Sequence, residues 1–251
     1  DLAGNAGGTG QTANFTIDTA TPSISAVGTG ALSWGAYLNA TEDNSDGTVT
    51  VTTSGVEDGQ TVTIVLGGVT DTGSVSSNSA TVTIAASDLD ALADGAHTMT
   101  VDVSDAAGNA ATQVTSSSFT ADATAPTVSS ISMNDTALKS GDTATLTIVF
   151  SEAVTAFANA DLTIPNGTLT NVATGDNITW TATYTPTADV TDTTNVISVA
   201  TSYTDLAGNA GGTGQTANFT IDTATPSISA VGTGALSWGA YLNATEDNSD
   251  G

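Results

Sequence analysis

Cysteine is missing from this 251-residue chain, and positive charge nearly so. Without cysteine, neither a disulfide nor a thiolate metal site can hold the fold. Lys139 is the only basic residue against 26 acidic ones; there is no arginine and one histidine, His97. Such a chain cannot neutralise phosphates, which excludes nucleic acid as a partner and argues against phosphate-ester substrates. No apolar run approaches the roughly 20 residues of a bilayer span, so no membrane insertion is expected of this segment. Nucleophilic chemistry with histidine or cysteine has nothing to draw on beyond His97. His97 falls in phase with Met99 and Val101 and reads as a half-buried corner residue. A carboxylate pair could hydrolyse a glycoside, but the acidic residues recur in turns and linkers, which suits structure better than turnover. No catalytic residue is assigned. A net charge of −25 instead asks for a counter-cation, and calcium, with its oxygen ligands, is the expected one.

What the chain does have is repetition. Asp-x-Ala-Gly-Asn is followed, thirteen residues after its Asn, by Asp-x-x-x-Pro. The pair occurs at Asp1–Asn5 with Asp18–Pro22, at Asp105–Asn109 with Asp122–Pro126, and at Asp205–Asn209 with Asp222–Pro226. Each linker Asp has a Phe three residues before it: Phe15, Phe119 and Phe219. Linker aspartates at 18, 122 and 222 give steps of 104 and 100 residues, the size of one small domain per repeat. Residues 1–47 also recur unchanged as 205–251. Two module types therefore alternate, an A module over 19–122 and a B module over 123–222. Residues 1–18 read as the C-terminal piece of another B, and 223–251 as the opening of another A. The chain reads as a window on a longer repetitive protein. Both end pieces lack partner strands and are not expected to fold alone.

The modules read as all-β. Thr48–Thr52, Thr61–Leu66, Ala80–Ala85 and Thr98–Val103 alternate apolar residues with threonine, and Ser23–Val27 and Gln113–Thr120 flank them. Period-2 alternation with one wet face indicates half-buried antiparallel strands. In B, Leu146, Ile148 and Phe150 share a face, as do Ile178, Trp180, Ala182 and Tyr184; Val196–Val199 and Gln215–Ile221 follow. Turn signals separate them at Asp46-Gly47, Glu57-Asp58-Gly59, Gly67-Gly68 and Asp94-Gly95. The single helical hint is a turn over 87–92, with Ser87 as its cap. About seven short strands per hundred residues predict tandem immunoglobulin-like β-sandwich modules in a linear array. Trp34 and Trp180 read as core or core-edge residues.

Two sets of words carry a family resemblance. Module A has Gly55-Val56-Glu57-Asp58-Gly59-Gln60-Thr61-Val62-Thr63 and Leu89-Asp90-Ala91-Leu92-Ala93-Asp94-Gly95 ahead of its Asp-x-Ala-Gly-Asn loop. Module B has Leu138-Lys139-Ser140-Gly141-Asp142, Phe150-Ser151-Glu152-Ala153-Val154, Asp161-Leu162-Thr163 and Tyr184-Thr185-Pro186-Thr187. They resemble two bacterial Ig-like repeat types of giant calcium-dependent adhesins of the RTX type. The resemblance implies an extender region, secreted to a bacterial cell surface, with calcium between modules and neighbouring modules of the same chain as partners. A carbohydrate- or surface-binding module and a spacer domain of a secreted hydrolase are the alternative readings.

Several acidic runs are turn chemistry rather than sites. Glu42-Asp43-Asn44-Ser45-Asp46-Gly47 imitates half of an EF-hand loop, but its twelfth position falls on Thr53. A hairpin turn with Gly47 at positive φ is the expectation. Ala6-Gly7-Gly8-Thr9-Gly10 lacks the lysine and context of a phosphate loop. The paired Asp motif is different, because turn chemistry does not explain an acidic spacing kept in otherwise different modules. With strands in sandwich order, the 205–209 loop lies at the pole of B nearest A. The expected calcium ligands at that junction are Asp122, Glu152, Asp205 and Asn209, with Asp88 or Asp90 from A. At the preceding junction they are Asp18, Asp105 and Asn109, with Glu57 or Asp58. Only three residues separate Asp122 from Pro126, and proline keeps the residue before it extended. The modules are expected end to end, each adding about 30–45 Å.

Overall fold

A computed structural model describes residues 15–227, together with Ala3 and Gly10. Most of the first motif copy, the glycine-rich run from Ala6, and the expected module opening beyond residue 227 lie outside the described residues. The first half contains β1 (Ser23–Ile24), β2 (Tyr37–Asn39), β3 (Gly47–Ser54), β4 (Thr61–Leu66), β5 (Val69–Ser74), β6 (Ser79–Ile84), β7 (Gly95–His97), β8 (Thr100–Val103), β9 (Val114–Thr115) and β10 (Phe119–Asp122). A single helical turn, α1 (Ala86–Asp90), stands between β6 and β7. The second half contains β11 (Val128–Met133), β12 (Ala137–Lys139), β13 (Ala144–Phe150), β14 (Leu162–Thr163), β15 (Gly167–Leu169), β16 (Ala173–Thr174), β17 (Thr179–Pro186), β18 (Thr191–Asn195), β19 (Ser198–Val199), β20 (Gly214–Gln215) and β21 (Phe219–Asp222).

Alternation decides which face of each strand is buried. On β3, Val49 and Val51 are buried while Thr50 and Thr52 face water. Val62, Ile64 and Leu66 on β4 and Val82 and Ile84 on β6 do the same. Sheets β1-β3-β6 and β5-β4-β8-β9 close over this core, and the strip β2-β10-β7 completes it. In the second half, β11-β13-β17-β15, β14-β19-β20 and β12-β21-β18 enclose a separate core of Leu146, Ile148, Phe150, Tyr184 and Tyr203. No strand pairs across the two cores among the described residues. The fold is an all-β pair of immunoglobulin-like sandwiches. Trp34 lies in the first core, edge-to-face with Phe119 at 5.5 Å, and Trp180 stands half-buried beside Phe157 at 5.2 Å. His97 is half-buried against Phe119, its Nε2 2.7 Å from the Ala93 carbonyl.

The last expected strand of each module is broken where the chain changes sheets. In A, β9 pairs with β8, whereas β10 runs between β2 and β7. At the crossing, Ser116 N–H donates to the Met99 carbonyl at 2.9 Å, and Met99 N–H donates to Ser116 Oγ at 3.0 Å. Thr216 and Ile197 repeat this exchange in B, at 2.9 and 3.1 Å. A buried hydroxyl thus satisfies backbone groups that the interrupted ladder would leave unpaired. The expected strand 98–103 starts two residues later, as β8 at Thr100, and the short β7 (Gly95–His97) precedes it on the other strip.

Two local expectations need correction. Gly47 opens β3 and is not at positive φ. It is glycine for space, since a Cβ there would lie 2.4 Å from the Trp34 ring. The cap of α1 is not Ser87. Its N-cap position is Ala85, and the Ala86 N–H is accepted by Asp46 Oδ1 at 3.0 Å. The acidic turn before β3 therefore caps a helix across the module. Glu42 Oε2 turns back to accept the Asn39 N–H at 3.1 Å, so that run is a structural turn.

Candidate metal centre at the module junction

The Asp-x-Ala-Gly-Asn loop is wound around its own aspartate. Asp205 Oδ1 accepts the Gly208 and Asn209 N–H groups at 2.7 and 2.9 Å, and Oδ2 accepts Asn209 Nδ2 at 2.7 Å. Gly208, at φ +100°, makes the reversal that a side chain would resist. Asp105 folds its loop the same way, accepting Ala107 N–H at 3.0 Å, Asn109 N–H at 2.8 Å and Asn109 Nδ2 at 2.8 Å. The Asn109 amide is the main reason the Asp105 carboxyl is held below its ordinary range. Asp105 and Asp205 are both buried.

The asparagine then reaches out of its module. Asn209 Nδ2 donates to the Asp122 carbonyl at 2.7 Å, and its Oδ1 accepts the Ala40 N–H at 2.9 Å. Beside it, Asn39 Nδ2 donates to the Ala207 carbonyl at 3.1 Å. Asn109 makes the corresponding contact one junction earlier, to the Asp18 carbonyl at 3.2 Å. From the A side, Asp94 grips the linker: Oδ1 accepts the Ala123 N–H at 2.9 Å and Oδ2 the Thr124 hydroxyl at 2.6 Å. Those bonds, Thr124 first, lower the Asp94 pKa. The linker is held from both modules.

Three carboxylates meet at this joint. Asp122, Glu152 and Asp205 each present an oxygen within 4.8 Å of the others. Asp122 ends β10, and Asp205 is fixed by its loop. Glu152 is brought in because Ser151 and Thr127 exchange bonds, Ser151 N–H to the Thr127 carbonyl and Thr127 N–H to Ser151 Oγ, both 2.9 Å. Burial raises the pKa of Asp122, and the charges of Asp205 and Asp94 push it further against the bond from Thr124 N–H. Burial also raises Glu152, followed by the charges of Asp122, Asp205 and Asp94. Three half-buried or buried acids with no cationic side chain beside them suit a hard cation with oxygen ligands. Lys139, the only lysine, pairs at 3.5 Å with Asp142.

Not every expected ligand is here. Asp88 faces Asp71 on β5, whose carboxyl is raised by burial and then by Asp88's charge. Asp90 is exposed at the end of α1. One helical turn ends too early to reach the linker, and the next acid, Asp94, takes that place. Its signal in the sequence was the Asp94-Gly95 turn. Asn209 contributes as a latch, with both ends of its amide engaged. At the preceding junction, Asp18 Oδ1 accepts the Ala20 N–H at 2.9 Å, Glu57 Oε2 the Ala106 N–H at 2.8 Å and Asp58 Oδ1 the Ser77 N–H at 2.7 Å. No three acids gather there among the described residues.

Residues 122–223 match a family model described as a bacterial Ig-like domain. Among solved structures, the chain is similar to part of a 1.5-MDa bacterial ice-binding adhesin studied for host cell surface retention. Identity is 25 %, with 82 % of this chain and 67 % of that one covered, at TM-score 0.50. A Ca²⁺-stabilized adhesin that helps an Antarctic bacterium bind ice aligns at 24 % identity, over 83 % of this chain and 50 % of its own, at TM-score 0.46. A bacterial immunoglobulin-like domain from the M. primoryensis ice-binding adhesin aligns at 33 % identity, over 40 % of this chain and 94 % of its own, at TM-score 0.29. The chain thus spans two thirds and half of the first two structures. No curated protein matches the sequence.

Proposed function

We propose that this chain, whose residues 122–223 match a bacterial Ig-like domain, is a stalk segment, stiffened by calcium, of a repetitive bacterial surface adhesin. The observation that carries this reading is the joint. Asp122, Glu152 and Asp205 come from the end of β10, the turn after β13 and the loop between β19 and β20, and converge within 4.8 Å. A calcium ion bound there supplies positive charge to three acids that otherwise repel. The residues do the rest: Asn209 and Asp94 fix the linker, while Asp205 orders the loop. Carbonyl oxygens or water complete a shell of six to eight ligands. A stiff joint repeated along a chain gives reach, and duplication extends it, which suits a secreted segment displayed at a cell surface.

Calorimetric titration of the chain with calcium tests this. Binding with a dissociation constant of about 10⁻⁴–10⁻³ M, the range of extracellular modules, is expected. Glu152→Gln should weaken it by about tenfold, roughly 1.4 kcal/mol. An absence of heat at millimolar calcium removes the metal from the proposal. Small-angle scattering in calcium that gives a side-by-side pair removes the stalk.

A further inference from the structure

Residues 205–251 repeat residues 1–47 letter for letter, so Asp18 and Asp222 head the same linker. The chain therefore shows both sides of a B-to-A joint, the exit from B at Asp222 and the entry into A at Asp18. Between them lies the A-to-B joint at Asp122. Strand register makes the two joint types comparable residue by residue, and their charges differ at three positions.

Two of the positions are on the exit side. Asn39 of β2 lies opposite Asp122, whereas Lys139 of β12 lies opposite Asp222. On the other flank, the pairing of Ala121 with Gly95, carried one residue further, brings Asp94 to Asp122. Opposite Asp222 stands Thr191, whose Oγ1 donates to Asp222 Oδ1 at 3.0 Å. The next linker residue follows suit. Ala123 N–H donates to the Asp94 carboxylate, but Thr223 is 4 % exposed and tied to its own module without any acid. Its N–H donates to the Val190 carbonyl at 2.8 Å and its Oγ1 to the Thr187 carbonyl at 2.7 Å.

The third position is on the entry side, where the residue after the linker proline sets the frame. Thr127 meets Ser151, and Glu152 follows. Ser23 meets Ser54, and Gly55 follows at φ +73°. Glycine thus stands where the A-to-B joint has its third acid. Glu57, two residues on, is engaged by A's own loop through the Ala106 N–H at 2.8 Å. The linker is otherwise seated alike, since Asn109 Nδ2 holds the Asp18 carbonyl as Asn209 Nδ2 holds that of Asp122.

Each of the three differences removes an acid or adds a cation at the B-to-A joint, which lessens the mutual repulsion of its carboxylates. Resting on the calcium reading above, we infer that the joints alternate in kind. The A-to-B joint takes the cation, and the B-to-A joint closes without one, on Lys139 and the hydroxyls of Thr191 and Thr223. Removing calcium then frees every second joint, while a B module and the A module after it stay coupled.

Hydrogen exchange of the full chain, with and without millimolar calcium, reads the two loops separately. Calcium should slow exchange at 205–209 and at linker residues 123–125 by about tenfold, and leave 105–109 within about twofold. Equal slowing in both loops overturns the alternation and leaves the calcium reading standing. No slowing in either removes the calcium reading and this inference with it. A charge swap tests the cause, because Asn39→Lys with Asp94→Thr gives the A-to-B joint the exit residues of B. Its calcium affinity should fall about tenfold by calorimetric titration. In chelator, its 205–209 loop should exchange more slowly than in a control with Asn39→Gln and Asp94→Thr, which lacks the lysine. An affinity within about twofold of the parent chain, or no difference from the control, would show that these positions do not set the need for a cation, and the inference would be wrong.

Discussion

Asn209 shows how one side chain can serve two modules. Its Nδ2 is bonded to Asp205 Oδ2 within the loop and to the Asp122 carbonyl across the joint, and its Oδ1 holds the Ala40 N–H. Removing it leaves buried groups unpartnered, at about 1–3 kcal/mol. Asn209→Ala should therefore lower the melting temperature of the chain with or without calcium. Asn209→Asp adds a negative charge as well as changing the hydrogen bonding. It sets a carboxylate where the amide now lies 2.7 Å from Asp205 Oδ2, beside Asp122 and Glu152. In chelator it should destabilise more than alanine does, because like charges in a half-buried site repel strongly. Millimolar calcium should narrow that difference, as scanning calorimetry of the two variants will read. Equal deficits with and without calcium would mean that no cation responds to charge at this position.

Elements were legible in proportion to how much apolar surface they bury. Thr61–Leu66 has the same bounds in sequence and structure because three of its alternate residues point into the core. β5 escaped notice, since Val69-Thr70-Asp71-Thr72-Gly73-Ser74 is an edge strand with no buried residue. β2 has only three residues, and its pairing with β10 depends on a partner some eighty residues away. The sheet change at Ser116 and Thr216 had no periodicity to betray it, because a hydroxyl in a Thr- and Ser-rich chain carries no contrast. The joint was legible where chemistry repeats. The Asp-x-Ala-Gly-Asn spacing pointed to Asp205 and the linker to Asp122, but the turn after α1 had no repeat to align, so Asp88 and Asp90 stood in for Asp94. Packing also sets rules at this scale. A Cβ on Gly211 would lie 2.1 Å from the Tyr203 ring, whose hydroxyl donates to the Gly212 carbonyl at 2.7 Å. Gly211→Ala should cost about 1–3 kcal/mol by overpacking. Phe119→Ala, which empties the space beside Trp34, should cost about 3–5 kcal/mol. Denaturant melts of the chain measure both, and a neutral Gly211→Ala would show that the ring can yield.

For the whole molecule, the proposed calcium joint would link metal, pH and stiffness. The pKa values of Asp122 and Glu152 are raised in the fold, first by burial and then by neighbouring carboxylates. A raised carboxylate favours its protonated form in the fold. Its contribution is present in full below the unfolded pKa and is lost as pH rises through the folded one. Without calcium, these two acids therefore loosen the joint at neutral pH, and protonation relieves it as pH falls into the carboxylate range. Asp94 and Asp105 run the other way, their lowered values making a contribution that disappears as pH falls. Total stability against pH mixes the two signs, so the informative quantity is the difference with and without calcium. A calcium ion bound there would compete with protons for the same oxygens. The rise in melting temperature that calcium brings should be large at pH 7–8 and shrink steadily as Glu152 and Asp122 take up protons. Glu152→Gln should shrink it at every pH, and a distance probe across the Asp122–Pro126 linker should sharpen in calcium only where the melting gain is present. A calcium-dependent gain that stayed constant from neutral pH down to pH 4 would place the ion somewhere other than among these three acids.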